Sequence, residues 1–233
     1  MDFLPTKGIE YLMVIGYLLL LIPAWWLLRR GTSARPAEAV APARRPAPAA
    51  GLRGWFRVPE GVLFHPGHTW AVPESGHTLR VGVDDFAQLL VGPPDSVRLP
   101  AAGSALEIGE RGWSLGADGR SVDLLSPVAG EVVEVNRDVV EDPSLVSRDP
   151  YGKGWLLKVK PARPGSAFKN LMPGKIAGEW MESSAEALSA MMGRQLGTVL
   201  QDGGVPVAGL ARQIDPDAWD RVAAELLLTA RES

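Results

Sequence analysis

The sequence predicts an α+β protein that begins with one membrane-spanning helix. Three features predict it: an 18-residue uncharged, mostly apolar run from Tyr11 to Leu28, a succession of short β-like runs between Thr69 and Val159, and two stretches after Pro161 with apolar residues at helical spacing. With 233 residues, 46% hydrophobic and 22% charged, the chain suits one or two small domains. A large multidomain enzyme, wholesale disorder and a many-spanning membrane protein are excluded. Cys is absent, which excludes disulfides, thiolate metal sites and a cysteine nucleophile. The net charge of −3 excludes a strongly basic nucleic-acid binder.

At about 1.5 Å per residue the run Tyr11–Leu28 spans about 27 Å, close to the bilayer core, so residues 1–30 are read as a transmembrane anchor. Trp25 and Trp26 stand where an interfacial aromatic belt lies. A cleaved signal peptide is the alternative, with Ala39-Val40-Ala41 as its cleavage triplet. Against it, the apolar run exceeds the roughly 7–15 residues of a signal sequence and lies about ten residues from that triplet. Residues 29–57 hold seven Arg and one Glu, and the residues after 57 carry a net −8. The positive-inside tendency then makes the chain a single-pass protein of the cell inner (plasma) membrane with its C-terminal domain in the cytoplasm. Residues 31–54, rich in Ala and Pro, read as a semi-extended basic tether.

Residues 55–162 read as a β-rich domain. The runs Thr69–Val72, Thr78–Val83, Ser96–Leu99, Ala105–Ile108, Trp113–Leu115, Val122–Leu125, Glu131–Val135 and Trp155–Val159 are each bounded by turn residues. Two short helices interrupt them. Asp84 caps the first, with Phe86, Leu89 and Leu90 facing inward, and Asp142 followed by Pro143 begins the second.

The motif order closely resembles the glycine cleavage system H protein family over roughly residues 60–161. It runs His65-Pro-Gly-His68-Thr-Trp70-Ala-Val, Val81-Gly82-Val83-Asp84-Asp85-Phe86-Ala87, Leu99-Pro100-Ala-Ala-Gly103, Ser126-Pro127-Val128-Ala129-Gly130-Glu131 and Asp149-Pro150-Tyr151-Gly152-Lys153-Gly154-Trp155. The resemblance implies a lipoyl-type barrel-sandwich hybrid: two flattened sheets and an exposed hairpin whose lysine carries lipoic acid as an amide. It also implies a carrier that catalyses nothing itself. In the family the lysine stands eight residues before the Pro of Ser-Pro-Val-x-Gly. Here that position is Gly119, and a register shifted by one gives Arg120. Between Lys7 and Lys153 the chain has no lysine. Amide formation needs a neutral amine, and a guanidinium with a pKa above about 12 does not supply one. Lipoate is therefore not expected as a cofactor. Asp118-Gly119 favours a tight turn with positive φ, which would make the carrier tip an ordinary β-turn.

Other chemistry-bearing residues are read as structural. His65 and His68 could offer two imidazoles to a metal, but no third ligand is evident and Asp84 and Asp85 are far along the chain; polar packing is expected instead. His77 falls in a hairpin turn. Gln201-Asp202-Gly203-Gly204 lacks the Lys and Ser/Thr of a phosphate loop and reads as a turn between Leu196–Leu200 and Val205–Leu210.

Residues 163–233 read as a small helix-hairpin-helix appendage. Its first helix carries Leu171, Ile176, Trp180, Met181, Ala185, Leu188, Met191 and Met192, with Pro173 in the first turn. Its second starts at Asp215 and carries Trp219, Val222, Ala223, Leu226 and Leu227. Both apolar stripes are expected to pack on each other or on the barrel, with docking of a partner as the alternative.

The sequence thus predicts a non-enzymatic, membrane-tethered, H-protein-like module that has lost its lipoyl site. Its expected role is that of a structural or interaction subunit in a membrane-associated complex, with the membrane and protein subunits as partners. No nucleic acid, metal or catalytic residue is expected. Two alternatives are a carrier modified at an unexpected lysine such as Lys153, and an envelope export adaptor, which would ordinarily carry a long helical hairpin that this sequence lacks.

Overall fold

The computed structural model describes residues 55–163, 165, 167–195 and 207–230. The expected anchor, residues 1–30, and tether, residues 31–54, lie outside the described residues. Among the described residues no helix is long and apolar enough to cross a membrane.

The chain runs through β1 (Leu63–His65), β2 (Thr69–Glu74), β3 (Thr78–Val83), α1 (Asp85–Val91), β4 (Ser96–Arg98), β5 (Ala105–Leu106), β6 (Arg111–Ala117), β7 (Arg120–Leu125) and β8 (Gly130–Val135). It continues through α2 (Arg137–Glu141), α3 (Leu145–Arg148), β9 (Leu157–Pro161), β10 (Met172–Pro173), α4 (Gly174–Gln195), α5 (Leu210–Ile214) and α6 (Trp219–Leu226). The strands form two antiparallel sheets, one of seven in the order β10-β1-β2-β3-β9-β8-β5 and one of three in the order β4-β6-β7. Each of the eight β-like runs read between Thr69 and Val159 overlaps a strand, with Ala105–Ile108 reduced to the two residues of β5.

Alternation along the strands builds the core. Leu79, Val81 and Val83 of β3 turn inward with Trp70 of β2 and Val159 of β9. The Trp70 indole lies across Gly82, where an added Cβ would stand 2.5 Å from the ring, and its Nε1 donates to the Val83 carbonyl at 2.8 Å. Gly82 is thus fixed by a close approach. Asp84 caps α1 as expected, Oδ1 accepting from the Ala87 N–H at 2.9 Å. Phe86 and Leu90 are fully buried while Leu89 is only half-buried.

Several elements differ from the expectation. Helix α2 went unread: Asn136 caps it by accepting from the Asp138 N–H, and Asn136 Nδ2 also donates to the carbonyls of Lys153 and Trp155. The second expected helix begins at Leu145, two residues beyond Pro143. Pro173 lies in β10, pairing with Leu63 immediately before α4, instead of inside the helix. On α4, Met181, Ala185, Leu188 and Met192 are buried as the spacing predicts, but Ile176 is 59% exposed.

Most of the expected C-terminal hairpin, residues 196–206, lies outside the described residues, and the described end of its second arm, residues 207–210, holds no strand. Leu210, Ala211 and Ile214 are buried at i, i+1 and i+4, a helical face, and form α5 behind Gly209 at φ 89. Asp215 closes α5 and accepts from the N–H groups of Asp217 and Ala218, so the last helix starts at Trp219. Trp219, Ala223 and Leu227 are buried. Both C-terminal stripes face one core shared with the sheets, and β10 is a strand of the larger sheet.

Candidate functional site

The β6–β7 hairpin carries Gly119 and Arg120, the positions that motif spacing assigns to the carrier lysine. Ala117 pairs with Arg120 across it, leaving Asp118 (φ 52) and Gly119 (φ 75) as a two-residue turn. Two successive positive φ values are the type I′ geometry that the right-handed twist of paired strands favours, and Asp tolerates the left-handed region better than most residues. The Asp118 N–H donates to Asp95 Oδ2 at 2.9 Å. A Cβ on Gly119 would meet nothing within 4 Å, so the tip itself is open.

The strands behind that tip are enclosed. Trp113 to Ala117, five consecutive residues, are all buried, and since neighbours on a strand point to opposite faces, both faces of β6 are covered. Directly opposed residues share a face, so Trp113 and Leu124, Leu115 and Val122, and Ala117 and Arg120 form one side of the hairpin. Arg120 on that side reaches α6, its Nη1 lying 2.9 Å from Asp220 Oδ1. Across the turn, Asp118 Oδ2 lies 2.8 Å from Nη1 of Arg212 on α5. Arg212 also donates from Nη2 to the Val91 carbonyl at 2.6 Å, and its guanidinium lies 5.3 Å from the centre of the Trp219 ring. At the base of the hairpin Arg111 Nη2 donates to the Thr229 carbonyl. The C-terminal segment therefore follows the hairpin from base to tip.

Magnitudes show what holds it. The two ion pairs at the tip are partly exposed, 44% and 29% for Arg120 and Asp220, a setting in which such pairs contribute about 0–1 kcal/mol. Trp219, Leu210 and Leu227 are buried almost completely, at about 1.5–3 kcal/mol each. Apolar packing binds the segment, and the charges set its register. The indole N–H groups of Trp113 and Trp219 are buried with no acceptor among the described residues.

Lys153 sits elsewhere, in the turn between α3 and β9, exposed, its N–H donating to Asp149 Oδ2 at 2.7 Å. A Cβ on Gly152 would displace the Asp149 carboxylate that accepts from the Lys153 N–H. None of the described lysines lies on β6 or β7.

The histidines form a packed corner. His65 Nδ1 accepts from the Gly67 N–H, and burial, then the neighbouring His68, lowers the His65 pKa. His68 Nδ1 lies 2.9 Å from Oδ2 of Asp84, both side chains almost wholly buried, with the imidazole stacked 3.9 Å from Phe86 and tilted against Trp180 at 4.6 Å. Asp85 instead takes Arg57, whose Nε and Nη2 donate to its two oxygens and whose pKa that bond raises. The Tyr151 hydroxyl donates to the Arg57 carbonyl and accepts from the Asp85 N–H, while burial holds the phenol protonated far above its ordinary range. Among the described residues no three His, Asp or Glu converge as metal ligands. His77 lies at φ 58 in the turn between β2 and β3.

Sequence reasoning reached the hairpin turn and missed its partners. Arg212, Asp220 and Thr229 lie about a hundred residues downstream, and no local pattern marks them. It likewise separated His68 from Asp84, which β2–β3 pairing brings together.

Comparison with known proteins agrees with the motif order. The family model for the glycine cleavage H-protein matches residues 62–184. That match continues past Pro161 into α4 and stops before α5. The glycine cleavage system H protein of Thermus thermophilus is 38% identical over 128 residues, 55% of this chain and 98% of the relative. That of Bacteroides fragilis is 43% identical over 104 residues, covering 45% and 82%. The mitochondrial protein of Oryza sativa subsp. indica is 35% identical over 144 residues, covering 61% and 87%. A crystal structure of a glycine cleavage system H protein from Mycobacterium marinum aligns with a TM-score of 0.47 at 29% identity, covering 55% of this chain and 99% of that one.

Proposed function

The chain belongs to the glycine cleavage H-protein family, and from that premise we propose that it is a non-catalytic, membrane-tethered member, its carrier hairpin kept for structure instead of group transfer, that acts as a structural or interaction subunit of a membrane-associated complex. The hairpin supports this reading. It offers no amine, its tip is a two-residue turn, and the side chains on either side of Gly119 are committed to Arg212 and Asp220. Without a nucleophile at the tip no acyl arm can be attached there, and the domain acts by what its surface binds. The relatives are named as H proteins of a glycine cleavage system, so other components of such a system are the first candidate partners. The apolar run Tyr11–Leu28 and the Arg-rich collar after it support a single-pass anchor with the domain on the cytoplasmic side.

The test is the intact mass of the chain purified from its native membrane in mild detergent, with co-purifying subunits identified. The expected mass carries no lipoyl group, and a stable partner accompanies the chain. A lipoyl adduct on any residue, or a chain that fractionates away from the membrane, overturns the respective half of the reading.

A further inference from the structure

The hairpin combines an open tip with enclosed strands. Gly119 faces empty space, so a small molecule can approach it. A protein that must hold the hairpin by its sides meets residues 207–230 instead. Arg212 and Asp220 bracket the turn, Arg111 is tied to Thr229, and α6 packs beside β7 with Trp219 and the following Leu227 buried. Those contacts are chiefly apolar, which makes the segment a fixture and not a salt-released latch.

We infer that residues 207–230 are a fixed cap closing the flank of the hairpin to protein partners, so that an amine placed at the tip would be open to a small acyl donor and closed to a lipoyl-transferring enzyme. This deepens the proposed function and rests on its reading of Gly119 and Arg120 as former attachment positions. The reaction being barred is simple. A lysine amine attacks the carbonyl carbon of lipoyl adenylate, the amide C–N bond forms, the acyl–phosphate bond breaks, AMP leaves with the electron pair, and the amine proton passes to solvent. The missing lysine and the cap are thus two independent barriers.

The whole chain in mild detergent tests this with Gly119→Lys and, because Gly119 has φ 75, with Arg120→Lys combined with Asp220→Ala, which frees the new amine from its carboxylate, as the unstrained second variant. A small activated acetyl ester should label the new amine as readily as exposed Lys153, read by peptide mass. Lipoyl adenylate with its transferring enzyme should modify it only slowly. Adding Trp219→Ala should then raise enzymatic lipoylation about tenfold or more, since each 1.4 kcal/mol of cap stability lost multiplies the open population about tenfold. Trp219→Phe should not. If Trp219→Ala does not fold, Leu227→Ala combined with Arg212→Ala takes its place. Equal lipoylation with and without the cap substitution, including none in either, overturns the inference. Lipoylation of the unsubstituted chain would instead overturn the proposed function, so the two failures are distinct.

Discussion

At its N-terminal end helix α1 is held by a carboxylate shielded from water, and at its C-terminal end by a guanidinium that reaches in from 121 residues away. Asp84 divides its two oxygens between the Ala87 N–H and His68, and the His68 ring is packed between Phe86 and Trp180. The last carbonyl of α1, that of Val91, receives Arg212, which also pairs with Asp118 at the hairpin tip. Both ends use a charged group on helix backbone, yet their energetics differ. Removing one member of a buried pair strands the other in a medium that cannot solvate it, whereas removing one member of an exposed pair returns the other to water. The first end lies within the family match and the second joins it to a segment beyond that match. The two ends thus separate a local, buried device from a long-range, partly exposed one.

The largest expected effect breaks the buried end. Asp84→Ala should cost about 3–5 kcal/mol, because it leaves a buried ring nitrogen of His68 without its hydrogen-bond partner and removes a helix cap. Asp84→Asn keeps an oxygen for the Ala87 N–H and should recover about 1 kcal/mol of that loss. Urea midpoints at unchanged slope measure both. A loss for Asp84→Ala no greater than for an exposed substitution would remove the contrast between the two ends. At the other end Gly119→Ala should cost about 1–2 kcal/mol, since φ 75 disfavours any Cβ even though the surrounding space is empty.

Sharpening the buried corner calls for pH. Burial, with His68 nearby, depresses the His65 pKa in the folded protein, so the unfolded chain takes the proton first as pH falls. Stability should therefore be constant above the unfolded value of about 6.5, decline as pH drops from there to the lower folded-state value, and level off beneath it. His65→Asn, which keeps an acceptor for the Gly67 N–H, should flatten that decline in melting temperature. A decline of equal depth in His65→Asn would assign it to another group.

What was legible in the sequence follows the same division. Asp84 as a cap, the Asp118-Gly119 turn and the eight β-like runs were readable because each is set by neighbours within a few residues. The absence of a lysine from β6 and β7 was readable by inspection. The pairs His68–Asp84, Arg120–Asp220 and Asp118–Arg212 were not, because they depend on register and on which helix lies over which sheet. The start of the helix at Leu210 was hidden for a related reason. The few apolar residues before it fit a short strand by composition, and only the inward positions of Leu210, Ala211 and Ile214 decide for a helix.

The smallest expected effect is the one that tests what holds the exposed end. If Trp219 and Leu227 bind the cap, the Arg120–Asp220 pair contributes little, and Arg120→Ala should cost no more than about 1 kcal/mol. The double-mutant cycle with Asp220→Ala should give a coupling of similar or smaller size, falling further as salt is raised and the charges are screened. Trp219→Ala, by contrast, should cost about 3–5 kcal/mol and respond little to salt, because a lost indole leaves a cavity that no counterion fills. Amide exchange of residues 207–230 distinguishes the two: it should quicken strongly in Trp219→Ala and barely in Arg120→Ala. A coupling well above about 1 kcal/mol that vanishes in salt would mean that charge, not packing, holds the C-terminal segment on the hairpin. The exposed end would then be a releasable contact, and the contrast with the Asp84 end would rest on its reversibility instead of on its source of energy.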